Sequence, residues 1–311
     1  MLRILPLLIG LLLLVSCTST QVINGMTTGK GYDPYGGVIY NDATGLGLDI
    51  YSPKHAVEAA PVIVFFYGGR WSGGIRSEYK FVGQALTQQG FVVLVPDVRT
   101  YPKVHFPTFV EDAAKAVAWA RQHANEYGGD PNKIFVMGHQ SGAHIAAMLA
   151  LNPQFLKDVG GSRQWLRGMI GLAGPYDFDL SSSDLRDMFG PPDDFPKSQP
   201  INYVDGRNPP LLLLHGEQDN DVKIKNTRNL AAAVQRAGGP VEVVTYPELD
   251  NNWLLASIAA PVRKRSDVLK YITDFVRKNA VGTADAVGKP VATQGAPAED
   301  APTELQTVPL K

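Results

Sequence analysis

Short runs of β-branched and aromatic residues alternate with stretches of helical periodicity through most of the chain. Runs that are apolar at nearly every position are typical of strands buried on both faces of a parallel sheet. The predicted strands are two within 38–51, joined by a turn, and then 61–67, 91–96, 133–137, 169–173, 211–215 and 241–246. The pattern predicts a doubly wound α/β fold, a mostly parallel sheet with helices on both faces.

Apolar positions at helical spacing fill most of the gaps between these strands. The predicted helices are 79–89, 109–127, 143–151, 227–237 and 268–278. One gap differs, because residues 174–210 are rich in Pro, Asp and Ser, and we expect this segment to cap a site. The folded part is expected to span 35–280, a size that suits one α/β domain.

The two ends of the chain differ from the middle. Residues 1–17 read MLRILPLLIGLLLLVSC, an apolar run too short for a membrane span of about 20 residues and typical of an export signal. Residues 14–17 resemble the lipobox of bacterial lipoproteins, in which the cysteine becomes the lipidated first residue. The alternative is a signal peptide that ends by chance in a cysteine. We expect 18–34 to be a linker and 281–311 to be a disordered tail.

These features lead to expectations about location and partners. A lipid on Cys17 would anchor an exported protein to a bacterial membrane, at its periplasmic face or in the outer membrane. Cys17 is the only cysteine, so no internal disulfide is expected. The formal net charge of −1 gives no electrostatic reason to expect nucleic acid. We expect no cofactor and no metal, since no histidine or cysteine joins Asp219, Asp221 and Asp250.

Residues 138–142, GHQSG, stand between a predicted strand and a predicted helix. Small residues two positions before and after the centre allow a tight turn that lifts the central side chain above the sheet. In a serine hydrolase this side chain is the nucleophile, but here it is Gln140, whose amide cannot attack a carbonyl usefully. Ser141 is rotated by about 100° from that direction at the start of a helix. We expect Ser141 to supply a backbone N–H.

Two other segments have the character of a hydrolase site. Residues 67–71, YGGRW, follow a buried strand and resemble a loop that lends an N–H to an oxyanion hole. Asp219 follows the strand 211–215 at the position of a triad acid, and Asn251 stands where the pattern Y-P-x-x-x-H has its histidine. The six histidines are at 55, 105, 123, 139, 144 and 215, so none follows Asp219 and a triad in the order Ser, Asp, His cannot be built.

Taken together, five ordered motifs resemble those of bacterial α/β hydrolases of the esterase and lipase type, above all the feruloyl-esterase-like and arylformamidase-like group. The motifs are YGGxW (67–71), PDxR (96–99), YGGDP (127–131), GHxSGAH (138–144) and HGxxD (215–219). The resemblance implies an α/β-hydrolase fold over about 35–280 and carboxylester hydrolysis as the family's chemistry. It places the oxyanion hole at Gly69, Arg70 and Ser141. It places the nucleophile and the base at Gln140 and Asn251.

The surroundings of these motifs leave several roles open. Tyr67, Trp71, His139 and Trp253 are candidates for the lining of a pocket, although both tryptophans would also suit the core. His139 and His144 also suit packed positions near the start of a helix.

Two functions from different classes are compatible with these residues. The first is a catalytically impaired homologue, a lipid-anchored protein that binds an ester, an aromatic acid or a partner in the pocket. The second is an active carboxylesterase with an unusual nucleophile, either Ser141 or a water held by Asp219 and His144. The changes at Gln140 and Asn251 could equally have been introduced to disable an active enzyme. If Asp219 is buried, we expect the Asn251 amide to donate to it.

Overall fold

The computed structural model describes residues 19–54, 59–281 and 306–307. The predicted signal peptide with Cys17 and nearly all of the predicted tail lie outside these residues. Among the helices of the described ranges, none is long and apolar enough to cross a bilayer.

Strands and helices alternate along the chain, as the apolar pattern predicts. The strands are β1 (Tyr32–Asn41), β2 (Leu46–Pro53), β3 (Ala60–Phe66), β4 (Val92–Pro96), β5 (Gly129–His139), β6 (Leu166–Leu172), β7 (Leu211–Gly216), β8 (Val241–Tyr246) and β9 (Gln306–Thr307). The helices are α1 (Ser19–Gly25), α2 (Lys80–Thr87), α3 (Thr108–His123), α4 (Ser141–Leu151), α5 (Pro153–Asp158), α6 (Ser183–Phe189), α7 (Lys225–Arg236), α8 (Asn251–Ala256) and α9 (Val268–Ala280).

The strands form one sheet in the order β1-β2-β4-β3-β5-β6-β7-β8-β9. The pairs β1/β2 and β2/β4 are antiparallel, and the pairings from β4 through β3 to β9 are parallel. The prediction of a doubly wound, mostly parallel sheet is therefore confirmed. Because parallel strands end at the same edge of the sheet, the loops after β3, β5, β7 and β8 can meet there.

Both faces of the sheet are buried under helices. Along β3, Val62, Val64 and Phe66 belong to one hydrophobic cluster with α3, α4 and α7. The alternate residues Ile63 and Phe65 belong to a second cluster with α2, α8 and α9. Burial on both sides explains why the strand is apolar at nearly every position. The buried strand in turn fixes the position of the loop that follows β3.

Four helices of the described residues, α1, α5, α6 and α8, lie outside the predicted helices, and two of them adjoin the site. The stretch 18–34, expected as a linker, holds α1 and the start of β1. Asn24 fixes α1, because its Nδ2 donates to the carbonyl oxygen of Ser77 at 2.7 Å and its Oδ1 accepts the N–H of Phe81 at 3.3 Å. The loop after β8 contains α8, which begins where Asp250 accepts the N–H of Trp253 at 2.7 Å.

Candidate functional site

The junction between β5 and α4 forms a tight, strained turn. Gln140 at its centre has φ +53° and ψ −119°, a conformation that costs a non-glycine residue on the order of 1–3 kcal/mol. A Cβ on Gly138 would lie 2.2 Å from the carbonyl of Gly142, and a Cβ on Gly142 would lie 2.0 Å from the carbonyl oxygen of Phe66. Only glycine fits at these two positions, so the backbone has the form of a nucleophile elbow around a glutamine.

The loop after β3 lies directly against this turn. Gly69, Arg70 and Trp71 have φ of +141°, +54° and +58°, which turns the loop toward the elbow. The N–H of Gly69 donates to Oε1 of Gln140 at 3.3 Å. The N–H of Ser141 makes no hydrogen bond with another residue of the described ranges. The glutamine amide thus engages one of the donors that the resemblance assigns to the oxyanion hole.

A charged network supports this loop from behind. The hydroxyl of Tyr67 donates to Oδ1 of Asp97 at 2.6 Å, and the N–H of Arg76 donates to the same oxygen at 3.1 Å. The Arg76 guanidinium bridges Asp97 and Asp49, the latter at 2.9 Å. The Tyr67 ring stacks on that of Tyr79. Tyr67, predicted to line the pocket, instead holds the oxyanion loop in place.

The candidate acid, Asp219, is buried at the end of β7. Its Oδ1 accepts the N–H groups of Asp221 and Val222 at 2.9 and 2.8 Å, and its Oδ2 accepts Nδ2 of Asn251 at 2.9 Å. Nε2 of His215 lies 3.4 Å from Oδ2. Burial by itself would raise the pKa of Asp219, but hydrogen bonds from His215, Val222 and Asn251 together lower it. The group is therefore an ionised carboxylate.

Asn251, which the resemblance assigns to the histidine position, makes the expected bond from its amide to Asp219. The residue is 3% exposed, and its Oδ1 has no hydrogen-bond partner in the described part of the chain. A side-chain amide donates like a histidine but does not take up a proton near neutral pH. Asn251 therefore preserves the support of the acid without providing a base.

The buried histidines near the elbow are engaged elsewhere. Nε2 of His139 lies 3.0 Å from the carbonyl oxygen of Asn251, so it carries the proton and donates. Burial lowers the pKa of His139. In His144, Nδ1 accepts from the Trp71 indole at 3.1 Å and Nε2 donates to Ser198 at 2.8 Å. With both nitrogens occupied, His144 cannot hold a water together with Asp219, so that alternative is wrong.

Ser141, the alternative nucleophile, is the first residue of α4 and is 3% exposed. Within the described ranges, its hydroxyl makes no hydrogen bond to a histidine or a carboxylate. His105 and His123 contact surface carboxylates instead. A serine hydroxyl without an adjacent base is a weak nucleophile, so the geometry does not activate Ser141.

Two cavities open on either side of Gln140. The first, about 280 Å³, lies under the segment predicted as a cap, and its lining includes Trp71, Ser141, Pro175, Phe178 and Leu185. The second, about 490 Å³, lies under α1, and its lining includes Ile23, Gly69, Tyr79, His139, Asn252 and Leu255. Trp71 lines the first of these cavities and His139 lines the second. The described residues contain no group of three or more His, Cys, Asp or Glu that could hold a metal.

Trp253 lies outside the lining of both cavities. Its side chain is 45% exposed, and the Arg265 guanidinium lies 5.9 Å from the ring centre. The prediction that Trp253 lines the pocket is therefore wrong. The reason is the phase of α8, which turns Leu254 and Leu255 inward and Trp253 outward.

Sequence reasoning missed two groups of residues at the site. The first is the pair Arg76 and Asp97 behind the oxyanion loop, for which the PDxR motif was the available signal. The second is α1, whose Ile23 closes the second cavity. Nothing in its own sequence connects α1 to the elbow, because that contact depends on the fold.

Comparison with known proteins identifies the family. The BD-FAE family model matches residues 48–234. A probable isoprenylcysteine alpha-carbonyl methylesterase, ICMEL1, of Arabidopsis thaliana is 29% identical over 67% of this chain and 49% of its own length. Esterase LipQ of Mycobacterium tuberculosis is 29% identical over 70% of this chain and 55% of its own length. The chain therefore spans about half the length of these curated relatives.

Solved structures give the same fold. A truncated carbohydrate esterase from gut microbiota has a TM-score of 0.70 at 22% identity, covering 81% of this chain and 98% of its own. The apo form of Thermogutta terrifontis esterase 2 has a TM-score of 0.67 at 24% identity, and the match covers 81% of this chain and 96% of the esterase. The family match extends over more than half of the chain. The chain belongs to the BD-FAE family and is an α/β hydrolase of the esterase type.

Proposed function

We propose that this protein is a catalytically impaired carboxylesterase homologue that binds an ester or an aromatic acid in the cavities beside Gln140. The proposal rests on the side chains found at positions 140 and 251. The elbow presents a glutamine amide that bonds to Gly69, and Asn251 donates to Asp219 where a base would stand. Gln140 and Asn251 make hydrogen bonds within the site, but neither side chain can act as a nucleophile or as a base.

The paired change has a physical rationale. Members of a catalytic triad act as a unit, so the loss of one costs nearly as much rate as the loss of several. Once the serine is absent, the histidine has no remaining catalytic value. Asp219 stays buried and still needs a donor, which Asn251 supplies. The site is thereby stable without being reactive.

The ligand class rests on the relatives and on the cavities. The relatives named above are esterases by name, which favours an ester over an unrelated ligand. Cavities of about 280 and 490 Å³ meet at Gln140, a size that suits a small ligand lying across it. One part of an ester would then lie under the cap and the other under α1.

The proposal includes a lipid anchor on an exported protein. It rests on the lipobox-like residues 14–17, with Cys17 as the site of lipidation. Mass spectrometry of the mature protein from bacterial membranes tests this part. We expect a lipidated Cys17 as the first residue, and an unlipidated product from Cys17→Ala. An unmodified cysteine in the membrane fraction would contradict the anchor.

The function is tested with p-nitrophenyl butyrate, which reports both binding and turnover. We expect calorimetric binding without hydrolysis above background. Leu185→Trp fills the first cavity and Asn252→Trp the second, and each should weaken binding by about tenfold or more, which corresponds to about 1.4 kcal/mol. Hydrolysis well above background that is lost in Ser141→Ala would replace this proposal with an active esterase.

A further inference from the structure

Four of the exposed large apolar side chains in the described residues lie in or directly beside α1 and two elements that contact α1. Val22 is 51% exposed, Met26 58%, Ile75 54% and Trp253 45%. The other exposed large apolar side chains of the described residues are Tyr35, Ile39 and Val281. The N–H of Met26 bonds to the carbonyl oxygen of Val22 at 3.1 Å, which places these two side chains one helical turn apart on the same side. These four residues are called the apolar rim below.

The residues of the apolar rim are chain neighbours of residues that line the second cavity. Val22 lies in α1 and Met26 directly follows it. Ile75 directly precedes the 3₁₀ helix Arg76–Tyr79, and Trp253 lies in α8. The helix α1 contacts the other two elements. Three of these lining residues stand directly beside a rim residue in the chain, namely Ile23, Gly74 and Asn252. The same cavity reaches Gly69 and Gln140 at its inner end. A ligand that fills this cavity therefore reaches the elbow.

Cations flank this rim. The guanidinium of Arg265 lies over the Trp253 ring, and Lys264 precedes it in an exposed turn. Neither cation pairs with a carboxylate within the described ranges. Tryptophan beside arginine and lysine is the composition that proteins use at the boundary between lipid and water. Basic residues near an anionic membrane surface are attracted to it.

The chain ahead of α1 indicates what covers this surface. α1 begins at Ser19, two residues after Cys17, a distance of at most about 7 Å for extended chain. A lipid on Cys17 would hold α1, and with it the apolar rim, at the bilayer. We propose that the apolar rim with Lys264 and Arg265 docks on a phospholipid membrane, and that the second cavity takes an amphiphilic ester directly from the lipid. This inference rests on the proposed function, since it specifies the ligand of the same site.

The test uses the full chain bound to vesicles of phosphatidylcholine and phosphatidylglycerol with brominated acyl chains. Bromine quenches nearby indoles, and Trp253 is the most exposed of the four tryptophans. We expect quenching in the vesicle-bound fraction, with most of it lost in Trp253→Phe. Emission of the bound protein that does not change in brominated vesicles would overturn the docking surface.

A matched pair of variants separates docking from attachment. Val22→Asp with Met26→Asp should lose the quenching although the protein stays bound through Cys17. Ile39→Asp replaces another exposed apolar side chain, on β1, and should leave the quenching unchanged. Equal quenching in the double variant and in the parent would overturn the role of the rim.

The ligand class is tested with a long-chain p-nitrophenyl ester carried in the vesicles. The double variant at Val22 and Met26 should bind it at least several-fold more weakly than the parent, and should bind soluble p-nitrophenyl butyrate equally well. Equal binding of both esters would overturn uptake from the lipid. Quenching without binding of either ester would support the docking surface and contradict the proposed function.

Discussion

The pairing of Asn251 with Asp219 makes stability depend on pH in a way that a substitution can reveal. Asn251→Asp exchanges a donor 2.9 Å from Oδ2 of Asp219 for a second carboxyl group, and both positions are buried. Two carboxylates about 3 Å apart repel by about 5 kcal/mol at an effective dielectric constant of about 20. The introduced group therefore binds a proton and donates to Asp219 instead.

The size of the effect follows from that proton. Keeping a carboxyl with an ordinary pKa of about 3.9 protonated at pH 7 costs about 4 kcal/mol, and at pH 5 about 1.5 kcal/mol. The introduced group has a higher pKa in the folded than in the unfolded state, so its stability contribution is lost as pH rises above about 4. Asn251→Ala leaves a carboxylate without one donor and costs about 1.5–3 kcal/mol, nearly constant from pH 5 to 7.

Urea unfolding of the parent and both variants at pH 5, 6 and 7 measures this difference. We expect Asn251→Asp to lose about 3 kcal/mol relative to Asn251→Ala between pH 5 and pH 7. A difference between the two variants that stays constant across this range would refute the reasoning. It would mean that residue 251 does not face the carboxylate of Asp219.

The packing around the elbow leads to three other expected outcomes. Gly142→Ala should lower the free energy of unfolding in urea by about 3 kcal/mol or more, because its Cβ would lie 2.0 Å from a backbone oxygen. Gly25→Ala is the control and should be nearly neutral, because the space around Gly25 is open. Burial lowers the pKa of His144 to about 4, so the free energy of unfolding should fall by up to about 3 kcal/mol as the pH falls from about 6.5 to 4. Urea unfolding of His144→Phe over the same pH range should show a smaller loss. Gln140→Ala releases the N–H of Gly69, so a hydrogen bond of about 1 kcal/mol becomes available to the ligand. Calorimetry should therefore show several-fold tighter binding of p-nitrophenyl butyrate. Weaker binding would contradict this role of Gln140.

Much of the fold could be predicted because it depends on residues that are close together in the sequence. The strand β3 is apolar at nearly every position since both of its faces are covered, and the glycines 138 and 142 are required by contacts within the turn itself. The positions of Gln140, Asp219 and Asn251 follow from the ends of strands that must meet at one edge of a parallel sheet.

The errors concern contacts between distant segments. Nothing near Trp253 in sequence shows that it faces outward, because that depends on where Asp250 begins α8. The direction of the Tyr67 hydroxyl depends on Asp97, which comes from the next strand along the chain. The bond between Gln140 and Gly69 depends on a loop conformation with three consecutive positive φ angles, which spacing alone does not predict.

Catalytic loss is tested most directly by restoring the two missing groups. The measurement is kcat/KM for p-nitrophenyl butyrate with the full chain, with Gln140→Ser, with Asn251→His and with both changes together. We expect turnover above background only in the double variant, because the serine needs the base and the base needs Asp219. Turnover by the unaltered chain that equals that of the double variant, or a stably folded double variant without turnover, would contradict a disabled esterase site.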